Sequence, residues 1–485
     1  MAGSPRPRAA AEDGARIEAK VRAGLAPSPE FLSRLATVRA ELVRSVTSAA
    51  RDRGIPLARA LIAGSAARGT FLTDRLDIDL FLLFPPALSR EEMARAGLAL
   101  GEAVLTSPER KYADHPYLRG WFQGFRVDAV PGYALTDPAQ PISPVDRTPF
   151  HDEYLRARQG PEQVAEVRLL KQFLRTLGVY GAEVRTQGFS GYLVELLILE
   201  AGGFRALLEA ARHWRIPVRL RPPAEDPPRL PEEVALILAD PVDPHRNVGS
   251  ALSRRNLAVF ILAADAYLAA PHESWFRPRQ LRPLFRADAL ARLERRGTEI
   301  VVVELARPDL VDDTLVPQVR RAERAIAEEA ERQGYRLVGH ASSVGPSRLL
   351  IGLEVESIVL PRIRRQEGPP AGIEHARRFL EKWTAPESGA VQGPYVTEEG
   401  RLAVEAPRPF PDLREGLAAA LPRLSLGKNL AAPGGPGTVR PLAEVDESEE
   451  LGELLRELLD KRLPWVPERP HRDGEPVRPG AARRR

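Results

Sequence analysis

The 485-residue sequence predicts an α+β multi-domain protein: an α/β head, a helical central domain and an α+β C-terminal region. Three observations carry this reading. At about 100 to 200 residues per domain, the length calls for two to four domains. Short apolar runs stopped by Gly or Pro alternate with helix-period segments near the N-terminus, whereas helical spacing dominates the middle of the chain. Strand-like runs return after residue 271. The predicted boundaries are 1–145, 146–270 and 271–465, with a disordered basic tail at 466–485. No internal repeat is visible.

The head begins with Ser28-Pro29-Glu30, an N-cap followed by Pro at the first helical position, and Leu32, Leu35, Val38, Leu42 and Val46 then recur at spacings of three and four. Gly54 ends that helix. Residues 60–63 are a short apolar strand stopping at Gly64-Ser65, and residues 77–84 are a second strand ended by Pro85-Pro86. A helix is expected over 91–105 and a third strand over 124–130, before Pro131. In the central domain, residues 161–177, 190–214 and 256–268 carry helical periodicity, with a proline-rich excursion at 221–231. Beyond 271, residues 298–305 read as a strand, 317–333 as a helix, and 335–340 and 348–355 as two more strands. That β-α-β-β order suits a ferredoxin-like or RRM-like unit.

Composition removes several function classes. The chain has no cysteine, which excludes a disulfide framework, thiolate zinc sites, iron–sulfur clusters and cysteine nucleophiles. Its apolar runs fall short of the ~20 residues that cross a bilayer, and its start lacks an apolar signal core, so a soluble cytoplasmic protein is expected. The formal net charge of +4 conceals a skew: the only lysines are Lys20, Lys111, Lys171, Lys382, Lys428 and Lys461, and the only asparagines Asn247, Asn256 and Asn429. With 46 prolines, this suggests codon bias or a hot habitat. It also marks the few Lys and Asn as residues to check for a task that Arg, Asp or Ser does not perform.

The chemistry concentrates around Asp77 and Asp79, two apart on a strand and so on one face. Two like charges that close repel. The arrangement makes sense with Mg²⁺, which takes carboxylate oxygens together with substrate phosphates, and Asp128 on a neighbouring strand supplies a third ligand. The bland alternative is two solvated strand-end aspartates. Upstream, Gly64-Ser65 with Arg68, Gly69 and Thr70 offers backbone N–H groups, a hydroxyl and a guanidinium to a triphosphate. Joined to D-x-D and a later Asp, this becomes a nucleotidyltransferase signature of the DNA polymerase β type.

A closer resemblance follows from longer segments. GSAARGTFLTDRLDIDLFLLFP (64–85), YADHPYLRG (112–120), VDRTPFH (145–151), VRLLKQFLRTLGVYGAE (167–183), GFSGYLVELLI (188–198), DPVDPHRNV (240–248), RGTEIVVVELARPDLVDDTLVPQ (296–318) and LGKN (426–429) resemble the archaeal, class I CCA-adding tRNA nucleotidyltransferases. The resemblance covers most of the chain outside its two ends and the proline excursion. It implies a polymerase-β-like head, addition of C, C and A to the tRNA 3′ end from CTP and ATP without a nucleic-acid template, and tRNA as partner. It implies Mg²⁺ at Asp77, Asp79 and Asp128, with Asp77 standing where many members have Glu. Ser65 and Arg68 match residues that hold nucleotide phosphates, and His151, Lys171 and Tyr180 match further triphosphate-binding positions. Ala66 and Gly69 replace residues that are often aromatic and Asn in the family.

Apart from the resemblance, Lys171 reads either as a snorkelling surface residue or as an ammonium aimed at phosphate. His151 and Tyr180 read equally well as packing residues. Arg246-Asn247 is a turn into a helix or a donor fork for a base edge; that protein and tRNA backbone share base selection is what the resemblance implies. Arg320, Arg321 and Arg324 are a solvated helix face or phosphate contacts, and Gly427-Lys428-Asn429 is a polar turn that caps a helix or touches phosphate. The rival functions are a poly(A)-polymerase-like RNA nucleotidyltransferase and a catalytically inactive RNA-binding protein. Both a monomer and a homodimer are compatible with the sequence.

Residues 468–485 carry six arginines against three acids and no apolar cluster. Removing them is expected to leave soluble, active protein, with at most weaker tRNA affinity at low salt. Loss of soluble enzyme on truncation after Pro467 overturns this.

Overall fold

The computed structural model describes residues 7–112, 116–221, 234–278, 282–430 and 437–466. The proline-rich segment 222–233 and the basic tail from 467 onward lie outside the described residues. The chain divides into two compact units, Met1–Arg279 with Arg462–Arg485, and Gln280–Lys461.

The first unit starts with helices α1 (Pro7–Leu25) and α2 (Pro29–Asp52). Ser28 caps α2 by accepting from the Phe31 amide, and Leu35, Val38, Leu42, Val46 and Ala50 form its buried stripe. Strand β1 (Arg59–Ala63) runs straight into the short helix α3 (Gly64–Arg68), and β2 (Asp77–Phe84) returns antiparallel beside β1. Helix α4 (Arg90–Val104) opens on a reciprocal cap between Ser89 and Glu92. Strands β3 (Thr106–Tyr112), β4 (Pro116–Phe122) and β5 (Phe125–Tyr133) complete a five-stranded sheet in the order β1-β2-β5-β4-β3. In this sheet β2 and β5 are parallel, and the other neighbouring pairs are antiparallel.

Period-two alternation divides β2 between two environments. Ile78, Leu80, Leu82 and Phe84 join the core shared with α2 and α4, while Phe81 and Leu83 lie on the opposite face, in a small cluster with Ala63. Asp77 and Asp79 precede Phe81 on that second face. In β5, Val127 and Ala129 belong to the first core, which leaves Asp128 on the carboxylate face.

Two features of the head differ from the sequence expectation. The strand expected to stop before Pro131 continues to Tyr133, because pairing with β4 reaches only as far as Ala129 and a proline beyond it breaks no ladder bond on that side. The β3–β4 hairpin was not anticipated, since β3 is TSPERKY and has almost no apolar residue to mark it.

The helical part of this unit comprises α5 (Thr148–Arg156), α6 (Pro161–Thr176), α7 (Gly191–Ala201), α8 (Phe204–Ala211) and α9 (Arg254–Ala269). The single helical stretch expected over 190–214 is split at Gly202, whose φ of 85° ends α7 in the left-handed region. A short parallel pair, β6 (Val218–Arg221) and β7 (Leu236–Leu238), is also present. Phe173, Phe204, Tyr267, Trp275 and Phe276 pack edge-to-face, tilted or, for Phe173 on Trp275, stacked around the centre of this core, and Trp465 tilts against Trp275. Helix α1 belongs with these helices: Glu18 accepts from Tyr267 at 3.0 Å and from Arg205 at 2.8 Å, and Arg22 pairs with Glu166.

The second unit contains α10 (Arg286–Arg296), β8 (Glu299–Ala306), α11 (Asp312–Arg332), β9 (Leu337–Val344) and β10 (Arg348–Val355). It continues through β11 (Ile363–Pro370), α12 (Glu374–Thr384), β12 (Gln392–Val396), β13 (Arg401–Pro407), α13 (Leu413–Ala420), β14 (Thr438–Pro441) and α14 (Glu449–Leu459). Four antiparallel strands in the order β14-β8-β10-β9 are covered on both faces. Val301, Val303 and Leu305 meet α11 and α13, whereas Ile300 and Val302 meet α10 and α14. A second sheet, β11-β13-β12, packs Val404 and Ala406 against Trp383 of α12. The helix expected to begin at Pro317 begins at Asp312, where Asp312 and Asp313 favour the positive helix end. Among the described residues no helix is long and apolar enough to cross a membrane.

Helix α4 approaches the sheet through glycine. A Cβ at Gly97 would lie 2.6 Å from Pro131 Cβ, and one at Gly101 would lie 2.8 Å from Leu118 Cδ1. Replacing Gly97 with Ala therefore forces α4 off β5, and we expect a loss of about 1–3 kcal/mol in chemical denaturation. An unchanged denaturation midpoint overturns this packing argument.

Candidate active site

The parallel register of β2 and β5 sets Asp77 opposite Arg126 and Asp79 opposite Asp128. Burial, then the neighbouring Asp128 and Asp77 carboxylates, push the Asp79 carboxyl from its ordinary value up to about 7. The outer two acids have arginine partners. Asp128 accepts two 2.7 Å bonds from Nε and Nη2 of Arg119, its register partner on β4, and Asp77 is paired bidentately with Arg126. The hydrogen bond to Asp128 raises the Arg119 pKa further.

Backbone closes in on this face from β1. Gly64 has φ +70°, and a Cβ there would fall 2.2 Å from Asp79 Oδ2, so only glycine permits the chain to pass this close. Ser65 follows half-buried at the start of α3. Gly69 ends α3 at φ +75°, a left-handed cap that glycine and asparagine both tolerate.

Arg68 leaves α3 into a buried ionic network. Its Nε donates to Glu195 Oε2 at 2.6 Å and its Nη2 to Glu195 Oε1 at 3.2 Å, while Nη1 pairs with Asp152. Lys171 is 2% exposed, which excludes the snorkelling alternative. Its ammonium donates to the Thr70 carbonyl at 2.9 Å and lies 3.5 Å from Glu195. Burial lowers the Lys171 pKa, with Glu195 opposing. Burial alone would raise Glu195, but Lys171 and Arg68 hold it below its ordinary value. Tyr180 joins from the side: a Cβ at Gly191 would be 3.5 Å from the Tyr180 hydroxyl and 3.8 Å from Lys171 Nζ.

A second buried carboxylate organises the remaining candidates. Asp240 Oδ2 meets His151 Nε2 at 2.8 Å and Arg246 Nη1 at 2.7 Å, and Asp240 Oδ1 accepts from the Tyr192 hydroxyl at 3.0 Å. The His151 and Tyr192 rings stack with centroids 4.0 Å apart. Burial would raise Asp240, yet the hydrogen bond and charge of His151 with the other donors bring it down to about 2. Burial, by contrast, lowers His151. The Arg246 side chain stays 39% exposed. Its neighbour Asn247 is not part of a donor fork: Oδ1 accepts from the Leu238 and Gly249 amides, and Nδ2 donates to the Leu236 carbonyl.

The structure thus brings Ser65, Arg68, Asp77, Asp79, Asp128, His151, Lys171, Tyr180 and Arg246 around one region of the first unit. Sequence reasoning passed over Arg119, Arg126, Asp152, Glu195 and Tyr192, and read Asp240 only as part of a turn. A signal existed for Glu195, the one charge among residues 191–198, a run that is otherwise apolar apart from Tyr192. The arginines gave no signal in so arginine-rich a chain. In the second unit, Arg321 donates to Ser425 Oγ at 2.9 Å, and Asn429 exchanges hydrogen bonds with Gln318, which makes the 427–429 turn a brace on α11.

Among the described residues no three His, Asp or Glu side chains stand arranged as a metal cluster, since Asp77 and Asp128 face arginines. The donor chemistry nevertheless fits a hard divalent cation: only carboxylate oxygens converge, and their mutual repulsion shows in Asp79.

That repulsion has a sign in stability. Between its ordinary value near 3.8 and about 7, Asp79 binds more proton folded than unfolded, so its contribution to stability falls as pH rises through that window. Replacing Asp79 with Asn removes this penalty. In the metal-free protein, the variant should unfold at higher urea than the parent at pH 8, with the difference fading toward pH 4. An equal gap at both pH values overturns the assignment.

Comparison with known proteins identifies the family. Residues 43–151 match a family model described as a nucleotidyltransferase domain, residues 165–277 the second domain of tRNA nucleotidyltransferase, and residues 296–433 the C-terminal domain of CCA-adding enzyme. A CCA-adding enzyme of Haloarcula marismortui is 39% identical over 409 residues, spanning 81% of this chain and 86% of that one. One from Halorubrum lacusprofundi is 39% identical over 417 residues, covering 84% and 89%, and one from Methanosarcina barkeri is 36% identical over 409, covering 83% and 88%. With relatives this similar along most of both chains, and three family models following one another in order, the chain belongs to the archaeal-type CCA-adding tRNA nucleotidyltransferases.

Proposed function

We propose that the carboxylate face of β2 and β5 is where this chain performs its family's reaction, the addition of C, C and A to the tRNA 3′ end from CTP and ATP. The observation that carries the assignment is the in-register pair Asp79 and Asp128, beside Asp77, with a phosphate-sized set of donors next to it. Nucleotidyltransferases of this kind generally use divalent metal ions, and here Asp77, Asp79 and Asp128 would hold Mg²⁺. When bound, the metal supplies a lowered pKa for the attacking hydroxyl and neutralisation of the leaving phosphates.

The chain's own residues orient the substrates. The tRNA 3′-hydroxyl attacks the α-phosphate of the nucleotide, and pyrophosphate leaves. Ser65 and the backbone after Gly64 cradle the phosphates. Arg68 has five N–H groups and spends three on Glu195 and Asp152, leaving two for phosphate oxygens. Lys171, Tyr180 and His151 add charge and hydrogen-bonding capacity along the triphosphate. Arg119 and Arg126 neutralise Asp128 and Asp77 until the metal is taken up.

Arg246 is the base-facing group. A guanidinium only donates, so it pairs with an acceptor. Beside their exocyclic amino groups, cytosine presents N3 and adenine presents N1 as acceptors. Uracil and guanine present N–H at the equivalent positions and are repelled. Asp240 holds Arg246 in place for this choice. In the second unit, the β14-β8-β10-β9 order supports a ferredoxin-like tRNA-binding region at 271–465. The proposed division of the remainder is a polymerase-β-like catalytic head at 1–145 and a helical nucleotide- and tRNA-binding domain at 146–270. The proposed place of action is the cytoplasm.

One assay tests the assignment: kcat/KM for CTP, ATP, UTP and GTP on tRNAs lacking CCA, CA or A. Asp79→Asn should depress CTP and ATP addition together, on the order of 10³-fold, with tRNA binding retained. Arg246→Ala should shrink discrimination against UTP and GTP by roughly 1–3 kcal/mol. Near-normal addition by Asp79→Asn removes the metal assignment, and an equal loss for all four nucleotides moves Arg246 to a phosphate or structural role.

A further inference from the structure

Glu195 sits in α7 among Leu193, Val194, Leu196, Leu197 and Ile198, all buried, and is itself 0% exposed. Placing an acid in such a helix is costly, and a buried ion pair replaced by apolar residues of similar volume is often neutral or stabilising. Stability alone therefore does not account for it. Its oxygens are fully used: Oε2 accepts from Arg68 Nε, and Oε1 accepts from Arg68 Nη2 and, at 2.6 Å, from the Thr70 hydroxyl. Lys171 stands 3.5 Å from Oε1. Arg68 and Thr70 come from the α3 end of the head, and Lys171 from α6. Both cations are close enough to Asp79 to act on its charge.

We propose that Glu195 is a positioning residue for nucleotide addition, orienting the Arg68 guanidinium and the Lys171 ammonium toward the triphosphate from behind. This rests on the reading of Arg68 as a phosphate contact. A single carboxylate gripping Arg68 by two parallel bonds fixes the plane of the guanidinium, so its remaining N–H groups point one way before substrate arrives. By holding the Thr70 hydroxyl and facing Lys171, which in turn holds the Thr70 carbonyl, Glu195 also pins the chain just after α3, and with it Ser65. The contacts are all to groups that would face phosphates, and Asp240 serves the base-facing side. Glu195 therefore governs affinity for the triphosphate common to both nucleotides, without influence on which base is chosen.

The test is steady-state kinetics with CTP and ATP on tRNAs lacking CCA or A, together with calorimetric binding of CTP. Glu195→Gln keeps the shape but turns an amide N–H₂ toward existing donors. KM for CTP and ATP should rise together by about ten- to a hundredfold, with a smaller fall in kcat and unchanged rejection of UTP and GTP. A purely structural role would instead lower kcat through a smaller folded fraction and leave KM alone. If Glu195→Gln does not fold, Glu195→Asp, which keeps the charge but withdraws it by one methylene, should show the same KM-weighted pattern at smaller size. Arg68→Lys should raise KM alone, and adding Glu195→Gln to it should cost little more. Unchanged KM and CTP affinity in the folded Glu195 variants overturns the proposal. An unchanged KM in Arg68→Lys overturns the phosphate reading of Arg68 instead.

Discussion

The first unit depends on one awkward adjacency, the parallel pairing that sets Asp79 beside Asp128 with Asp77 two residues away. No fold gains stability from three carboxylates on one face, and the Asp79 carboxyl registers the strain by holding its proton to about pH 7. The surrounding structure contains this charge. Arg119 and Arg126 each clasp one outer acid, and the sheet beneath is anchored by Ile78, Leu80, Leu82, Val127 and Ala129 in a dry core. Among the described residues the central acid, Asp79, has no hydrogen-bond or ion-pair partner of its own. Under the proposed function this face takes up a cation, so its charge would not be neutralised permanently. Arginine partners on the two flanking acids are one solution to that conflict.

Two more buried carboxylates each join several elements: Glu195 of α7 ties to Arg68 and Thr70 of the head, and Asp240 gathers partners from α5, α7 and its own loop. Glu195 and Asp240 each gather several donors, and in both cases the donors come from different elements. Such networks stabilise little per atom once desolvation is counted, but they impose a unique geometry. Here one network faces the region assigned to the triphosphate and the other the region assigned to the base. Affinity and selection would then be adjustable separately.

The scarce residues of the sequence also have a common logic. Asn247 and Asn256 bracket backbone, and Asn429 pairs with the Gln318 side chain. Asn247 ties Leu236, Leu238 and Gly249; Asn256 donates to the Thr186 and Gln187 carbonyls; Asn429 trades bonds with Gln318. Asn247 and Asn256 hold backbone as a short amide can, since Asn247 both donates and accepts and Asn256 spends both its N–H bonds. Lys171 places a single compact ammonium between the Thr70 carbonyl and Glu195. Rarity pointed to special positions, but for the asparagines the task was architectural and not catalytic.

Local rules were enough to read much of this protein from its sequence. Capping by Ser28, the period-two pattern of β2, the Gly64-Ser65 strand end and the Asp77/Asp79 spacing are encoded over a few residues each. Chain-local sterics and alternation act over that same distance. The ordered motifs carried the family for the same reason. What remained hidden depended on partners outside each residue's own segment, whether the next strand or a distant helix. The β3 strand has no apolar signature and exists because β4 accepts it, and β5 runs through Pro131 because β4 has already ended there. Arg68 and Lys171 read as free cations until folding brings Glu195 from more than twenty residues downstream to pair with both. Whether a charge faces solvent, substrate or another charge is set by which distant side chains share its low-dielectric surroundings, and only the tertiary structure decides that.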